Sequence, residues 1–296
     1  MQHMADFGLS YGTIEEFNFR KALFDIVEAE IELHNATNNS FTLGHNAFST
    51  WTDAERKRLT GYKPSLLPKV YSDDEVSNGS GTNWVTAGAV TSVKNQGSCG
   101  SCWAFSTSGA MEGAHKIAGS SLQEFSQQQL VNCDKSNYGC NGGNMDVAFR
   151  YYESHYAVLL SDYPYVSGNG SDNQTCEYNS MPKTTAKCTA IKDVFPNLPE
   201  KLKASIDIGP TSVAIQADQR VFQQYSGGIL NSTACGTNLD HAVLAVGWGT
   251  SLGTEYILVK NSWGTTWGDK GYVKIASVSG AGICGINMDP VRPTST

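Results

Sequence analysis

The chain is 296 residues long, more than the roughly 100–200 of a typical single domain, so one large unit or a unit with an appendage is expected. Hydrophobic content of 40% and charged content of 17% are globular values, and no run of about 18 apolar residues offers a membrane span. A formal charge of −7 with scattered basic residues argues against nucleic acid or an anionic membrane as a main partner.

From the N-terminus, Met1-Gln2-His3-Met4 lacks the basic start and apolar run of a secretory signal and reads as an expression scar. From Ile14 to about Asn35, residues Glu16, Arg20, Phe24, Val27, Ile31 and Asn35 recur at spacings of four and three, along one stripe of a long amphipathic helix. A short apolar-alternating stretch follows from Phe41 to Phe48. Thr52-Asp53-Ala54-Glu55 then places a Thr three residues before a Glu, the pattern of a capping box, and predicts a second, shorter helix. Pro64, Pro68 and the polar run from Ser72 to Thr82 predict an extended, accessible linker carrying the main boundary, with an appended segment over 5–76 and the main domain over 77–296.

Beyond the linker, Cys102 to about Gly119 contains Trp103, Ala104, Phe105, Ala110, Met111, Ala114 and Ile117, a pattern for a largely buried helix ended by glycine. Downstream of about Pro210 the texture changes to short β-rich runs at Thr211 to Ile215, Ala242 to Val246, Glu255 to Lys260 and Gly271 to Ile275. Separated by glycines, these predict antiparallel sheet.

Reactive chemistry concentrates at Gln96-Gly97-Ser98-Cys99-Gly100-Ser101-Cys102-Trp103. A thiol at a helix N-terminus feels the positive end of the macrodipole, and a nearby imidazolium stabilises its thiolate further, which makes a better nucleophile. A cysteine before a buried helix is also, on its own, a core thiol or half of a disulfide. The eight cysteines, at 99, 102, 133, 140, 176, 188, 235 and 284, point to an oxidising compartment. Only Cys99 and Cys102 form a C-x-x-C pair, whereas structural zinc wants two close pairs or paired histidines, so no metal is expected. N-x-S/T sequons at Asn35, Asn38, Asn78, Asn169, Asn173 and Asn231 fit a secreted or lysosomal glycoprotein.

Cys99-Gly100-Ser101-Cys102-Trp103 matches C-G-[SA]-C-[WY], the signature around the nucleophile of papain and the cathepsins, with His and Asn roughly 130–150 residues later. His241, in Asn238-Leu239-Asp240-His241-Ala242-Val243, and Asn261, opening Asn261-Ser262-Trp263-Gly264, follow Cys102 by 139 and 159 residues. A longer loop between them accounts for the second separation. On these blocks nearly the whole chain resembles the papain-like cysteine protease family.

That resemblance implies an α+β fold in two lobes, a helical lobe carrying Cys102 and an antiparallel β-barrel-like lobe carrying His241 and Asn261, behind a helical propeptide. It implies a cysteine endopeptidase without cofactor, with Cys102 as nucleophile, His241 as acid and base, and Asn261 orienting the imidazole. Trp263 shields that contact, and the Gln96 amide with the Cys102 N–H forms the oxyanion hole. Implied disulfides are Cys99–Cys140, Cys133–Cys176 and Cys235–Cys284, leaving Cys188 a free thiol. Gly142 and Gly143 pair with an extended substrate. Asn144, Met145, Ala214, Leu239 and Asp289 match the S2 pocket, where Asp289 would admit Arg or Lys at P2.

The appended segment, with Glu16-x3-Arg20-x3-Phe24, Ile31-x3-Asn35 and Gly44-x-Asn46-x-Phe48, resembles the inhibitory propeptide of cathepsin L-like zymogens. Val27 stands where that pattern has Asn, and Thr50 where an acidic residue is common, which puts a carboxylate-based acid trigger there in doubt. The resemblance implies protein and peptide substrates, the chain's own propeptide as intramolecular inhibitor, a monomer, and a lysosomal, vacuolar or secreted location. Cys102, His241 and Gln96 are all intact, against a catalytically silent homologue, and no βαβ pattern surrounds Cys99 and Cys102, against a thiol-disulfide oxidoreductase, which leaves as the rival an acyltransferase whose acyl-enzyme is intercepted by an amine.

Overall fold

The fold is that of a computed structural model, which describes residues 2–37, 39–71, 75–77, 79–171 and 175–296. The sequons at Asn38, Asn78 and Asn173, and part of the expected linker, lie outside the described residues.

The appended segment opens with α1 (Gln2–Asp6) and α2 (Ile14–Asn35). The predicted stripe is the face α2 uses. Val27 and Ile31 are buried, Phe24 stacks on His45 at 4.1 Å, and Arg20 reaches Glu55. Asn35 brackets Leu43, its amide donating to the carbonyl at 2.8 Å and its oxygen accepting from the N–H at 3.0 Å. This commits that sequon's side chain to the fold. Val27 packs into the apolar core beside Ile31 and Phe41. Of the residues expected to be a scar, Met1 lies outside the described residues and Gln2, His3 and Met4 lie in α1, where the His3 ring stands 5.0 Å from Phe24. Strand β1 (Phe41–Leu43) is shorter than the alternating stretch, and α3 (Asp53–Arg56) starts with both halves of the capping box, Thr52 and Glu55, in place.

The main domain runs β2 (Thr82–Asn83), α4 (Cys102–Ile117), α5 (Gln127–Cys133), α6 (Met145–Ser154), β3 (Cys188–Asp193) and α7 (Pro199–Ile208). Then come β4 (Thr211–Ile215), α8 (Arg220–Gln223), β5 (Tyr225–Leu230), β6 (His241–Ser251), β7 (Thr254–Lys260), β8 (Tyr272–Ala276) and β9 (Val291–Ser295). The strands follow the order β1-β5-β8-β7-β6-β4-β9-β3, with β2 on β6. The path is open: β1 and β3 stand at its two ends rather than closing on each other. Pairing is antiparallel except between β5 and β8, which run parallel at Ile229↔Lys274. The long crossover through β6 and β7 makes that pairing possible.

Two apolar cores result. One gathers Trp103, Met111, Phe125, Leu130 and Phe149 around α4, and the other gathers Ile215, Phe222, Trp248, Val259, Trp263 and Trp267 on the sheet. The sheet core also takes Val27, Ile31, Phe41, Phe48 and Leu59 from the appended segment. That segment is therefore built into the molecule, with β1 extending the sheet edge at β5 (Phe41↔Gly228). Cys99–Cys140, Cys133–Cys176 and Cys235–Cys284 are bonded, and Cys102 and Cys188 are free and buried.

Candidate active site

Cys102 is the first residue of α4, where backbone N–H groups have no intrahelical partner. The Cys99–Cys140 bridge fixes the preceding loop. His241 opens β6 and Asn261 follows β7, and the β6/β7 register, Leu244↔Lys260, brings them together. His241 Nε2 lies 2.8 Å from Asn261 Oδ1, and the neighbouring Ala242 N–H donates to Cys102 Sγ at 3.4 Å. His241 Nδ1 is buried without a hydrogen-bond partner. Trp263 covers the imidazole, ring centres 4.8 Å apart.

Gln96 is buried and held at both ends. Its N–H donates to the Ser262 carbonyl at 2.9 Å, and its side-chain oxygen accepts from the Ser262 hydroxyl at 2.6 Å. The amide Nε2 is thereby aimed at two carbonyls, Cys99 at 2.9 Å and Leu59 at 3.0 Å. Leu59 belongs to the appended segment, and Trp263 Nε1 also donates to its carbonyl.

Residues 59–63 cross the site along the backbone. The Gly61 and Tyr62 N–H groups both donate to the Asp240 carbonyl at 2.9 Å, Gly143 N–H donates to the Gly61 carbonyl at 2.8 Å, and Lys63 N–H to the Gly143 carbonyl at 2.8 Å. A Cβ on Gly61 would stand 2.0 Å from the Gly100 carbonyl oxygen, and one on Gly142 2.6 Å from that of Gly61, so only glycine permits this approach.

The crossing buries Cys102 and His241 completely. Burial pushes the thiol up to about 12, against the backbone N–H groups of Ala242, Gly61 and Trp103 that favour its charged form. It brings the imidazole down to about 4, opposed by the bond from Asn261. Both groups are therefore neutral at pH 7, and the expected thiolate is suppressed in this covered state. The Asp240 carboxyl is raised to about 7, chiefly by burial.

Of the expected S2 residues, Asn144 caps α6 and donates from its amide to the Lys63 carbonyl at 2.9 Å. Tyr62 pairs with Gly143 and packs against the core that holds Met145 and Ala214, as does Leu239. Its hydroxyl donates to Asp289 Oδ2 at 2.7 Å. The expected linker differs most from the sequence reading. Lys69 is half sunk among Asp193, Asp289 and Asp146, its ammonium 3.1, 3.2 and 3.6 Å from their oxygens. Burial opposes its charge, yet the three carboxylates prevail and its pKa is raised. Sequence reasoning missed Tyr62, Lys69, Asp146 and Asp193, because Asp146 in the first turn of α6 looks like a dipole-compensating acid and the others sit in no motif.

A model of the papain family cysteine proteases matches residues 79–294, and one of the cathepsin propeptide inhibitor domain matches residues 2–55. The chain is 40% identical to cysteine protease XCP2 of Arabidopsis thaliana, with 99% of this chain and 85% of that protein aligned. Identity to digestive cysteine proteinase 1 of Homarus americanus is 40%, over 97% of this chain and 92% of that protein. Its structure superposes on a recombinant stem bromelain precursor with a TM-score of 0.89 at 36% identity, covering 99% of this chain and 96% of that one.

Proposed function

The chain belongs to the papain family of cysteine proteases, and on that premise we propose that it hydrolyses peptide bonds through Cys102, His241 and Asn261 once residues 5–76 have been removed. It is a papain-like cysteine endopeptidase made as a precursor, with its own propeptide as an intramolecular partner.

In the open enzyme Cys102 and His241 regain water and each other's charge, and a thiolate beside an imidazolium becomes the favoured pair. The thiolate attacks the carbonyl, His241 protonates the leaving amine, and water then releases the acyl-enzyme with His241 as base. Asn261, accepting from the imidazole N–H, fixes the ring so that Nδ1 serves the sulfur. The Gln96 amide and the Cys102 N–H stabilise the oxyanion, where one lost donor typically costs about 10²–10³ in rate.

The observation that carries this reading is the Leu59 carbonyl on the Gln96 amide. A prosegment carbonyl already occupies the proposed oxyanion donor while the same strand covers Cys102. Direction explains why it survives. A substrate with its reacting carbonyl on Gln96 pairs a preceding residue with Gly143, whereas here the residue on Gly143 is Tyr62, three positions after Leu59. The polypeptide crosses the site reversed.

Iodoacetamide labelling tests this reading: Cys102 should react slowly in the intact chain and rapidly after the prosegment is lost, and equal rates would contradict the occlusion. Gly142, Gly143, Asn144, Met145, Ala214 and Leu239 line the substrate side, with Asp289 accepting Arg or Lys at P2. If Asp289→Ala leaves cleavage of both Phe-Arg and Arg-Arg reporters unchanged, Asp289 has no such role. Disulfides and sequons support a lysosomal, vacuolar or secreted site of action.

A further inference from the structure

We propose that Tyr165 is a positioning residue of the oxyanion hole: its hydroxyl ties Gln96 to Ser101, the neighbour of Cys102, and so sets the spacing of the two donors. This rests on the reading above, that the Gln96 amide and the Cys102 N–H stabilise the oxyanion of a peptide hydrolase.

The two donors reach the site by different routes. The Cys102 N–H belongs to the start of α4, whereas Gln96 lies before a loop that turns at Gly97 (φ 62°). Both must stand about 2.7–3.1 Å from one oxygen, so their mutual spacing matters as much as their presence. Tyr165, in the loop after α6, reaches both sides. Its hydroxyl lies 2.8 Å from the Gln96 carbonyl oxygen and 2.8 Å from Ser101 Oγ. The carbonyl can only accept, so the phenol proton goes to Gln96, and Ser101 donates its own to the Tyr165 oxygen. Gln96 and Ser101 are both wholly buried, where a hydrogen bond left unmade is costly.

Ser101 shows how firmly the tie is built. A serine at the N-cap normally turns its oxygen to the free N–H groups of the first helical turn, yet Ser101, the N-cap of α4, makes no such bond. Its hydroxyl is given to Tyr165 instead. Tyr165 is itself braced: its ring meets Phe105 of α4 edge to face at 4.9 Å, and the buried Gln128 side-chain oxygen accepts from Val166 N–H at 2.8 Å and Ser167 N–H at 3.1 Å. From the same loop, the Gly168 carbonyl accepts from Ser98 N–H at 2.8 Å and steadies the chain between the donors. Burial pushes the phenol up to about 12, against the bond with Ser101, so the hydroxyl keeps the proton it donates. Gln96, Ser101, Phe105 and Gln128 all belong to the main domain, and the tie keeps its partners when the prosegment leaves. A second link runs through the Cys99 carbonyl, which accepts from the Gln96 amide at 2.9 Å and from Ser101 N–H at 2.8 Å. Loss of the Tyr165 hydroxyl therefore loosens the pair of donors without dismantling it.

The test uses enzyme processed from the full chain, a Phe-Arg fluorogenic peptide, and active sites counted by Cys102 alkylation. Tyr165→Phe keeps the ring on Phe105 and should lower kcat about tenfold, less than the 10²–10³ of a lost donor, with KM within about twofold of the parent. Its iodoacetamide rate should match the parent's, because that displacement develops no oxyanion. On a Gln96→Ala background, where no spacing is left to set, the same change should cost less than about threefold in kcat. A merely structural tyrosine predicts the opposite pattern, with the alkylation rate altered and the full loss retained on that background. Parent kcat in Tyr165→Phe, or an undiminished loss beside Gln96→Ala, overturns the proposal. If Tyr165→Phe fails to fold, Ser101→Ala breaks the tie from its other end: a lower kcat at parent KM supports the role, and parent kcat overturns it. A parent enzyme that cuts no peptide is a failure of the protease reading, whereas an active parent matched by Tyr165→Phe removes the positioning role alone.

Discussion

At the scale of single residues, Gly61 is the most constrained point of the prosegment. Any side chain there collides with the Gly100 backbone, which is tied by its own N–H to the Cys140 carbonyl and cannot move away. Gly61→Ala should therefore lift the crossing strand and raise the alkylation rate of Cys102 in the intact chain by about tenfold or more; a rate equal to the parent's would show that the strand tolerates the methyl. Cys102, His241 and Asn261 were legible because each lies in a short block whose residue types the chemistry dictates. Asp289 was singled out by resemblance, but Lys69, Asp146 and Asp193 around it were not, since the cluster is assembled from four distant stretches and these three lie in no motif.

At the scale of elements, α2 and α3 are clamped by Arg20, which donates to Glu55 at 2.7 Å and to the Thr50 carbonyl at 3.0 Å. The hydrogen bonds from Arg20 hold the Glu55 carboxyl down to about 2, below its ordinary 4.5. A depressed carboxyl stabilises above its unfolded value and loses that contribution as pH falls toward its folded value, here between about 4.5 and about 2. At pH 5 the clamp is therefore still intact. Arg20→Met should speed Cys102 alkylation at pH 7, with the difference from the parent narrowing only below about pH 4.5. Equal rates at pH 7 would mean that the clamp does not hold the prosegment down. Among the elements, α2 and α4 were readable from an apolar stripe and a buried run, and β4 from its β-branched residues. The parallel β5/β8 pair was not, because Ser226, Gly227 and Gly228 give β5 no alternation, and its partner is set by a crossover rather than by sequence.

At the scale of the whole molecule, the helical core and the sheet meet beneath the site. Thr91 accepts from the Lys260 ammonium at 3.1 Å and donates to the Glu112 carboxylate at 2.7 Å, linking β7 to α4. Burial brings Lys260 down to about 8 and pushes Glu112 up. Thr91→Val leaves both buried ions short of a partner and should cost about 1–3 kcal/mol in urea unfolding, measured on a Cys102→Ala background to prevent self-cleavage. No loss would mean that the two ions do not rely on the hydroxyl. The two-lobe plan was legible from the change of texture near Pro210. The depth of prosegment docking was not: Pro64, Pro68 and the polar run beyond read as accessible linker, and Leu66 is indeed exposed, yet Tyr62 and Lys69 on either side are anchored by carboxylates that only the folded domain brings together.

The central claim is that this is a protease held shut by its own first quarter. The measurement that tests it most directly is hydrolysis of a Phe-Arg fluorogenic peptide before and after incubation at acid pH with reductant, with intact mass followed alongside. Activity should appear together with the loss of about 8 kDa, roughly 75 residues at about 110 Da each, and Cys102→Ala should abolish it. If the segment is lost and Cys102 still reacts with alkylator, yet no peptide is cut, the chain has this fold without the proposed hydrolysis.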